Sequence, residues 1–387
     1  MISLLTEDQR LRYIEFQEFI KINVELSASK WDQDEEMPDD FISLLASTGY
    51  LGSNIPVEYG GKGWDFVTFG LLNEAVGKGI SSLTDLLTIQ AMVSMTLLKW
   101  GTQAQKSRWL EPLAKGNIIG AFSLTEPNVG SAIQSLETTI NKRGDKYVLN
   151  GFKRWTSYGE KADLFLVFGK DEDKSVACLL TKDTPGLTIH PIKNMMGFRA
   201  AHMAQLNFNN VEIPETDIVG KPGFALSHVA SIGLHYGRIS TSCSALGLLR
   251  ACFEESVVYA SQRKIGSKNV GDEGMIRTLI ARMGTDLQAA SLLCYSACRA
   301  EDEKTPDVYE KVQMAKYFTS RAAVKAASDA VQIQGANGCH ISSPVSRYYR
   351  DSKIMEIIEG TTQIHERMLG KTFVEKAAKI LKAKKRT

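Results

Sequence analysis

The chain has 387 residues, of which 43% are hydrophobic and 23% are charged, a composition typical of a globular protein with an ample core. A formal net charge of +2 gives no electrostatic reason to expect nucleic-acid binding, and no apolar run is long enough to predict a membrane span. The N-terminus shows no signal-peptide pattern, so we expect a soluble, cytoplasmic protein. The six cysteines form no C-x-x-C pair and no His/Cys cluster, so no metal site is predicted.

Apolar residues return every three or four positions through the first part of the chain, which predicts helices. Examples are Phe16, Phe19 and Ile20. The segment 54–66 contains one proline and three glycines and interrupts this pattern as a loop, and we expect serines of the segment 79–83 to cap the next helix. The sequence therefore predicts an all-helical N-terminal domain over residues 1–119.

The character of the chain changes near residue 120. Short β-rich runs bounded by turn residues follow, including KYVLNG, ADLFLVFGK, SVACLLTK and AQLNFNNVEIP. They predict a small β domain over residues 120–223.

Long helical periodicity returns after residue 223. We expect helices over 238–262, through the apolar stripe of 276–287, over 308–332, and after Glu359. Four long helices joined by short loops favour an antiparallel bundle over residues 224–387. The predicted fold class is α+β, in the order helical domain, β domain and four-helix bundle.

A single carboxylate, Glu359, stands between the apolar segment 354–358 and Gly360. Apolar surroundings raise the pKa of a carboxylate and make it a better proton acceptor, so Glu359 is a candidate general base. Gly360 lets the backbone turn, and Thr361 or Thr362 would cap the helix that follows. This stretch alone leaves open the alternative of a solvated surface glutamate.

Two loops of the β domain carry groups suited to a flat ring. One presents the backbone groups of Leu124 and Thr125. The other places Trp155 two residues before Ser157, which on a strand puts an indole and a hydroxyl on the same face. Simple packing is the alternative for this pair. The sequence has no Rossmann fingerprint, no P-loop and no G-x-S-x-G elbow.

Five segments resemble, in order and spacing, the signature segments of the acyl-CoA dehydrogenase family of flavoenzymes. They are IPVEYGGKG, TEPNVGS, GFKRWTSYGEKADLFLVF, QIQGANG and RDSKIMEIIEGTTQIHER. They are spread between residues 55 and 367, so the match runs nearly from end to end of the chain. The resemblance implies a helical domain, a small β-barrel domain and a four-helix bundle, which is the order predicted above, with FAD between the β domain and the bundle.

The resemblance also implies roles for particular residues. Glu359 would be the catalytic base, Ser131 would lie near the pantetheine end of the thioester, and Gly360 would lie beside the substrate. Arg263 and the pair Gln332 and Gly335 would reach a flavin held mainly by a neighbouring subunit, which implies a homodimer or homotetramer. The residues that would hold FAD within the same subunit are Phe122, Leu124, Thr125, Trp155, Ser157, Thr361 and Gln363.

The activity that the resemblance implies is α,β-desaturation of an acyl thioester. The base removes the α proton, a hydride passes to the flavin, and an electron-transfer flavoprotein is the expected electron acceptor. In this mechanism the backbone amide of the base stabilises the thioester carbonyl oxygen. Some members of the family carry the base just before a structural arginine of a bundle helix. Here Gly237 precedes Arg238 and cannot serve, which leaves Glu359.

Several positions depart from the family pattern, namely Ala132, Ile265, Ala336 and the segment 198–203, which lacks hydroxyl residues. These departures favour a specialised member that acts on a short or polar acyl group, attached to coenzyme A or to a carrier protein. Two alternatives remain open: a flavin oxidase or monooxygenase on the same fold, and a flavin-free thioester-binding scaffold.

Overall fold

A computed structural model describes residues 5–384. Residues 1–4 and the end of the basic run 379–386 lie outside the described residues. The expectation of no signal peptide rests partly on residues 1–4. Six helices precede the sheet: α1 (Glu7–Asn23), α2 (Ala28–Asp34), α3 (Asp39–Thr48), α4 (Phe66–Gly79), α5 (Ser81–Trp100) and α6 (Gln103–Ala114).

Local sequence explains where several of these helices begin. Thr6 and Gln9 form a reciprocal capping box at the start of α1, and Thr102 and Gln105 form another at the start of α6. The predicted serine cap of α5 is wrong, because Ile80 precedes this helix and no side chain caps it. The serines at 81 and 82 lie inside the first turn of α5 instead.

Helix α5 is the core helix of this part of the chain. It is long and apolar enough to cross a membrane, but 94% of its apolar window is buried inside the fold. Its surroundings are therefore other elements of the protein, including α4, α6, the later helix Ser231–Gln262 and the first strand.

The middle of the chain forms one curled seven-stranded sheet. Its strands are β1 (Gly120–Ser123), β2 (Thr139–Arg143), β3 (Lys146–Thr156), β4 (Leu164–Asp171), β5 (Lys174–Thr181), β6 (Leu187–Pro191) and β7 (Ala204–Pro214). The order is β1-β4-β2-β3-β7-β6, and β5 pairs with β4. β1 runs parallel to β4, whereas β3 and β7 are antiparallel with a register shift between Lys153 and Thr156.

The third part is again helical. A π-helical segment, Ala225–Ala230, leads into the long helix α7 (Ser231–Gln262). The hairpin of β8 (Lys264–Ile265) and β9 (Lys268–Asn269) then precedes α8 (Gly274–Asp302), α9 (Val308–Gln334), α10 (Ala336–Cys339), α11 (Pro344–Ile357) and α12 (Thr362–Lys384). The four predicted long helices are present, with α7 starting earlier than expected, and the sequence did not predict α11.

The α+β fold class is confirmed. The first and third parts pack closely because α4 and α5 lie against α7. Gly77 and Gly247 allow this approach, since a Cβ on either one would overlap the backbone of the facing helix. Buried residues of all three parts belong to one continuous apolar core, so the domain limits at 119/120 and 223/224 stay predictions. This packing brings α5, α7 and the α11–α12 connection together.

Candidate active site

The connection between α11 and α12 holds Glu359 in an uncommon backbone conformation. Its φ is +56° and that of Gly360 is +100°, a region that residues with a side chain rarely occupy. Two side chains hold the connection, because the partly buried Arg238 donates from Nε to the Glu359 carbonyl at 3.0 Å and the buried Lys316 donates from Nζ to the Gly360 carbonyl at 2.8 Å. Such strain persists only where surrounding contacts fix it.

The Glu359 carboxylate points toward α7. Although the residue as a whole is partly exposed, its Oε2 atom is buried and has no hydrogen-bond partner in the described part of the chain. A Cβ added to Gly237 would lie 2.5 Å from Oε2 and 3.0 Å from the sulfur of Met92. The carboxylate therefore occupies the space beside Gly237 that a side chain at this position would need.

Burial and neighbouring charges set the proton affinity of this carboxylate. Burial raises the pKa of Glu359 to about 7, Arg238 and Lys316 act to lower it, and Asp85 raises it further. Burial also lowers the pKa of Lys316 to about 7. A carboxylate that titrates near neutral pH is suited to general-base work.

The backbone N–H of Glu359 is available as a donor. Within residues 5–384 it donates no hydrogen bond, whereas its carbonyl oxygen accepts one from Arg238. A buried carboxylate and a free N–H therefore belong to the same residue. This combination can accept a proton and stabilise a neighbouring oxyanion.

The loop after β1 provides a second set of free donors. Lys153 Nζ donates to the Leu124 carbonyl at 3.0 Å and to Glu126 at 2.7 Å, which fixes the loop. The Thr125 carbonyl accepts the Arg154 N–H, but in the described chain neither the Leu124 nor the Thr125 N–H donates a hydrogen bond. Phe122 packs on Gly233 of α7.

Trp155 lies next to this loop and differs from the prediction in its geometry. Its φ is +61°, its side chain is 42% exposed, and the Arg154 guanidinium lies 4.5 Å from its ring centroid. Because β3 bulges here and ends at Thr156, the expected strand alternation of Trp155 and Ser157 is wrong. Ser157 lies in the turn after β3, with its Oγ 3.9 Å from the Met203 sulfur.

These groups fit FAD. Two free N–H groups suit the acceptor edge of a flavin, and an exposed indole suits its flat face. A cofactor of this kind would be held by the Leu124–Thr125 loop and Trp155. The Ser157 hydroxyl follows Trp155 by two residues.

The residues predicted to serve a neighbouring subunit form a separate group. Arg263, Gln332 and Gly335 are exposed at the ends of α7 and α9, and Tyr259 joins these ends by donating to the Gln334 carbonyl at 3.3 Å. Along α9, Gln332 lies about 24 Å from Lys316, given 1.5 Å per residue. One subunit therefore does not bring this group to Glu359.

The other predicted positions are dispersed. Thr361 accepts backbone hydrogen bonds from the first turn of α12, Gln363 is exposed on the same helix, and Ser131 lies on an exposed loop after β1.

Sequence reasoning missed three buried residues at the site. Asp85 and Lys316 are ionisable residues on the buried faces of α5 and α9. An ionisable residue on the apolar face of a helix was the signal in the sequence that could have identified them. His365 is fully buried, and burial lowers its pKa to about 3, so it stays neutral.

Comparison with known proteins identifies the family. The sequence matches "Acyl-CoA dehydrogenase, N-terminal domain" over residues 6–117, "middle domain" over 121–211 and "C-terminal domain" over 227–373. The chain belongs to the acyl-CoA dehydrogenase family. It is therefore a FAD-dependent oxidoreductase that acts on the CH–CH group of its donor.

Individual members of the family are similar along their whole length. An acyl-CoA dehydrogenase of Bacillus subtilis (strain 168) is 33% identical over 373 residues, which are 95% of this chain and 98% of the relative. The butyryl-CoA dehydrogenase of Megasphaera elsdenii has a TM-score of 0.92 at 29% identity and covers 96% of this chain and 99% of its own. The prolyl acyl carrier protein oxidase AnaB has a TM-score of 0.90 at 27% identity, with coverages of 95% and 99%.

Proposed function

We propose that the protein desaturates an acyl thioester between its α and β carbons, with Glu359 as the base that removes the α proton. The observation that carries this proposal is the buried, unpartnered Oε2 atom of Glu359 beside Gly237. A buried carboxylate without a partner is costly in a fold. Acceptance of the α proton from a bound substrate would account for this carboxylate.

The protein groups have distinct tasks in this reaction. Glu359 accepts the α proton at its carboxylate, and its free N–H donates to the thioester carbonyl oxygen as negative charge develops there. Such a donor contributes roughly 3 kcal/mol to transition-state stabilisation. Arg238 and Lys316 bind the carbonyl oxygens of Glu359 and Gly360 and thereby orient the carboxylate and the N–H of Glu359. FAD supplies, when bound, the acceptor for the hydride that leaves the β carbon.

For the cofactor, we assign the flavin to the space beside Phe122, Leu124, Thr125, Trp155 and Ser157. Thr361 and Gln363 would serve its adenosine side, Ser131 would contact the pantetheine arm, and Gly360 would lie beside the substrate. These assignments rest on the free N–H groups and exposed indole described above and on the family motifs.

A second copy of the chain would complete the cofactor site. Arg263, Gln332 and Gly335 are exposed together, and the neighbouring Ile265 is 55% exposed on the β8–β9 hairpin. Arg263, Gln332 and Gly335 match family positions that reach a flavin held mainly by a neighbouring subunit, and this match supports the shared site. We therefore propose a homodimer or homotetramer.

The substrate class that we favour is a short or polar acyl group carried by coenzyme A or a carrier protein, with an electron-transfer flavoprotein as electron acceptor. The departures at Ala132 and Ala336 and the similarity to both a butyryl-CoA dehydrogenase and a prolyl acyl carrier protein oxidase support this choice. Rapid reoxidation of the reduced enzyme by air would instead favour an oxidase.

The test of this function is Glu359→Gln. The variant keeps the size of the side chain and the backbone N–H, so FAD content and the affinity for a non-reacting thioester should be unchanged. An amide accepts no α proton, so anaerobic flavin reduction by a thioester substrate should slow by about 10²- to 10⁴-fold. Wild-type reduction rates in the FAD-loaded variant would show that the base lies elsewhere.

A further inference from the structure

Asp85 is a buried carboxylate that the proposed mechanism does not use. It lies in the second turn of α5 and is 3% exposed. Its Oδ2 atom has no hydrogen-bond partner, and no Lys, Arg or His side chain pairs with Asp85 among the described residues. An unpaired buried carboxylate is costly unless a partner arrives from outside.

The position of Asp85 couples it electrically to the candidate site. The charge of Asp85 raises the pKa of Glu359, and the Ser157 hydroxyl lowers the pKa of Asp85. These two couplings indicate that Asp85 on α5 and Glu359 on the α11–α12 connection lie in the same buried region.

The same face of α5 continues toward the base. Asp85, Thr88 and Met92 are spaced three and four residues apart, which puts them on one helix face. Met92 lies 3.0 Å from the Cβ position of Gly237, next to the Glu359 carboxylate. Thr88 Oγ1 lies 2.6 Å from the Ser240 hydroxyl, one turn along α7 from Gly237. The face of α5 that carries Asp85 therefore continues past Thr88, which contacts α7, to Met92 beside the base.

We propose that Asp85 determines the substrate specificity of this enzyme by binding an N–H or O–H donor on the acyl group. The substrate class is then a hydroxyacyl or aminoacyl thioester rather than an alkyl one. This inference rests on the proposed function, since it assumes that an acyl thioester reacts at Glu359.

The chemistry of the carboxyl group fits such a ligand. Burial raises the pKa of Asp85 to about 7, Ser157 lowers it and Asp351 raises it. An incoming ammonium or hydroxyl group satisfies the free Oδ2 atom, whereas an alkyl chain leaves it buried and unpaired. A site built to bind a donor group rejects the analogue that lacks it.

The test compares three thioesters of equal size. Heptanoyl, 6-hydroxyhexanoyl and 6-aminohexanoyl groups differ only in a terminal methyl, hydroxyl or ammonium group, which lies well beyond the reacting carbons. Each is attached to pantetheine, the arm that coenzyme A and carrier proteins share. The measured quantity is the second-order rate constant of anaerobic flavin reduction, expressed as the ratio of each polar substrate to heptanoyl. Comparing this ratio between enzymes cancels the intrinsic reactivity of the substrates.

We expect Asp85→Leu to lower both ratios by about 10- to 100-fold, the range for a hydrogen bond to a charged group. Asp85→Asn should lower the ammonium ratio more than the hydroxyl ratio, and this difference distinguishes the two donors. The asparagine variant also replaces the leucine variant if the latter loses FAD. The matched control is Thr96→Val, because Thr96 is on the same helix and its buried hydroxyl is also unpartnered. This control should leave both ratios unchanged.

Other outcomes separate the inference from the proposed function. If the Asp85 variants slow all three substrates equally, Asp85 only positions Ser157 and the inference is overturned, while Glu359→Gln still tests the base. The inference also fails if the ratios do not change. If none of the three thioesters, nor any shorter or longer acyl thioester, reduces the wild-type flavin, the proposed function itself fails.

Discussion

Gly237→Ala probes the placement of the Glu359 carboxylate without changing that residue. The added Cβ would lie 2.5 Å from Oε2 and 2.6 Å from Cδ of Glu359, whereas ordinary contact begins at 3.4 Å. The carboxylate must therefore move by about 0.9 Å, because the Cβ is fixed to the backbone of α7 and the glutamate is the end of a flexible side chain.

The expected effect is on rate and not on stability. A displacement of about 1 Å between reacting groups costs about 10²-fold in rate, which corresponds to about 2.7 kcal/mol in the activation barrier. Alanine is favoured over glycine inside a helix by about 1 kcal/mol. That gain offsets part of the contact strain, so the melting temperature of Gly237→Ala should stay close to the wild-type value.

The assay is anaerobic stopped-flow reduction of the bound flavin by a thioester substrate, with FAD content and melting temperature measured on the same samples. Gly370→Ala is the matched control. It replaces another glycine within a helix, α12, but its Cβ meets no atom within 4 Å, so flavin reduction should stay at the wild-type rate. A wild-type rate in FAD-loaded Gly237→Ala would refute the placement of the reaction at this carboxylate.

Two further predictions concern pH and the cofactor. The second-order rate constant of flavin reduction should rise between about pH 6 and pH 8, because the raised pKa of Glu359, about 7, leaves this base protonated on the acid side; a rate that is constant across this range would contradict the assignment. Arg263→Ala should lose FAD on gel filtration while its melting temperature without cofactor is unchanged, because Arg263 is exposed in one subunit; full FAD retention in a monomer would contradict a site shared between subunits.

The sequence predicted most of the fold because most of the helices have apolar residues at helical spacing. The buried stripe of α8, which includes Met283 and Leu287, recurs at helical spacing. Helix α11 was missed for a physical reason, since its buried residues include Arg347, Asp351 and Ser352. A helix that buries polar side chains lacks the apolar periodicity on which the prediction depends.

The site was predictable only in part. Glu359 stood out because an apolar segment precedes it and a glycine follows it, and both are local features. The geometry of Trp155 and Ser157 was not predictable from strand alternation, because a β-bulge in the β3–β7 pair breaks that alternation. Bulges depend on the pairing of two strands that are distant in sequence.

By itself, the sequence determined the order of helices and strands, the candidate base and the family motifs, because each depends on residues that are close together along the chain. Only the tertiary structure decided that Met92, Gly237 and Glu359 meet, since more than 100 residues separate each from the next. Proton affinity and free donors depend on what packs around a group. The pKa of Glu359 and the unpartnered oxygen of Asp85 therefore arise from the packing of α5, α7 and the α11–α12 connection.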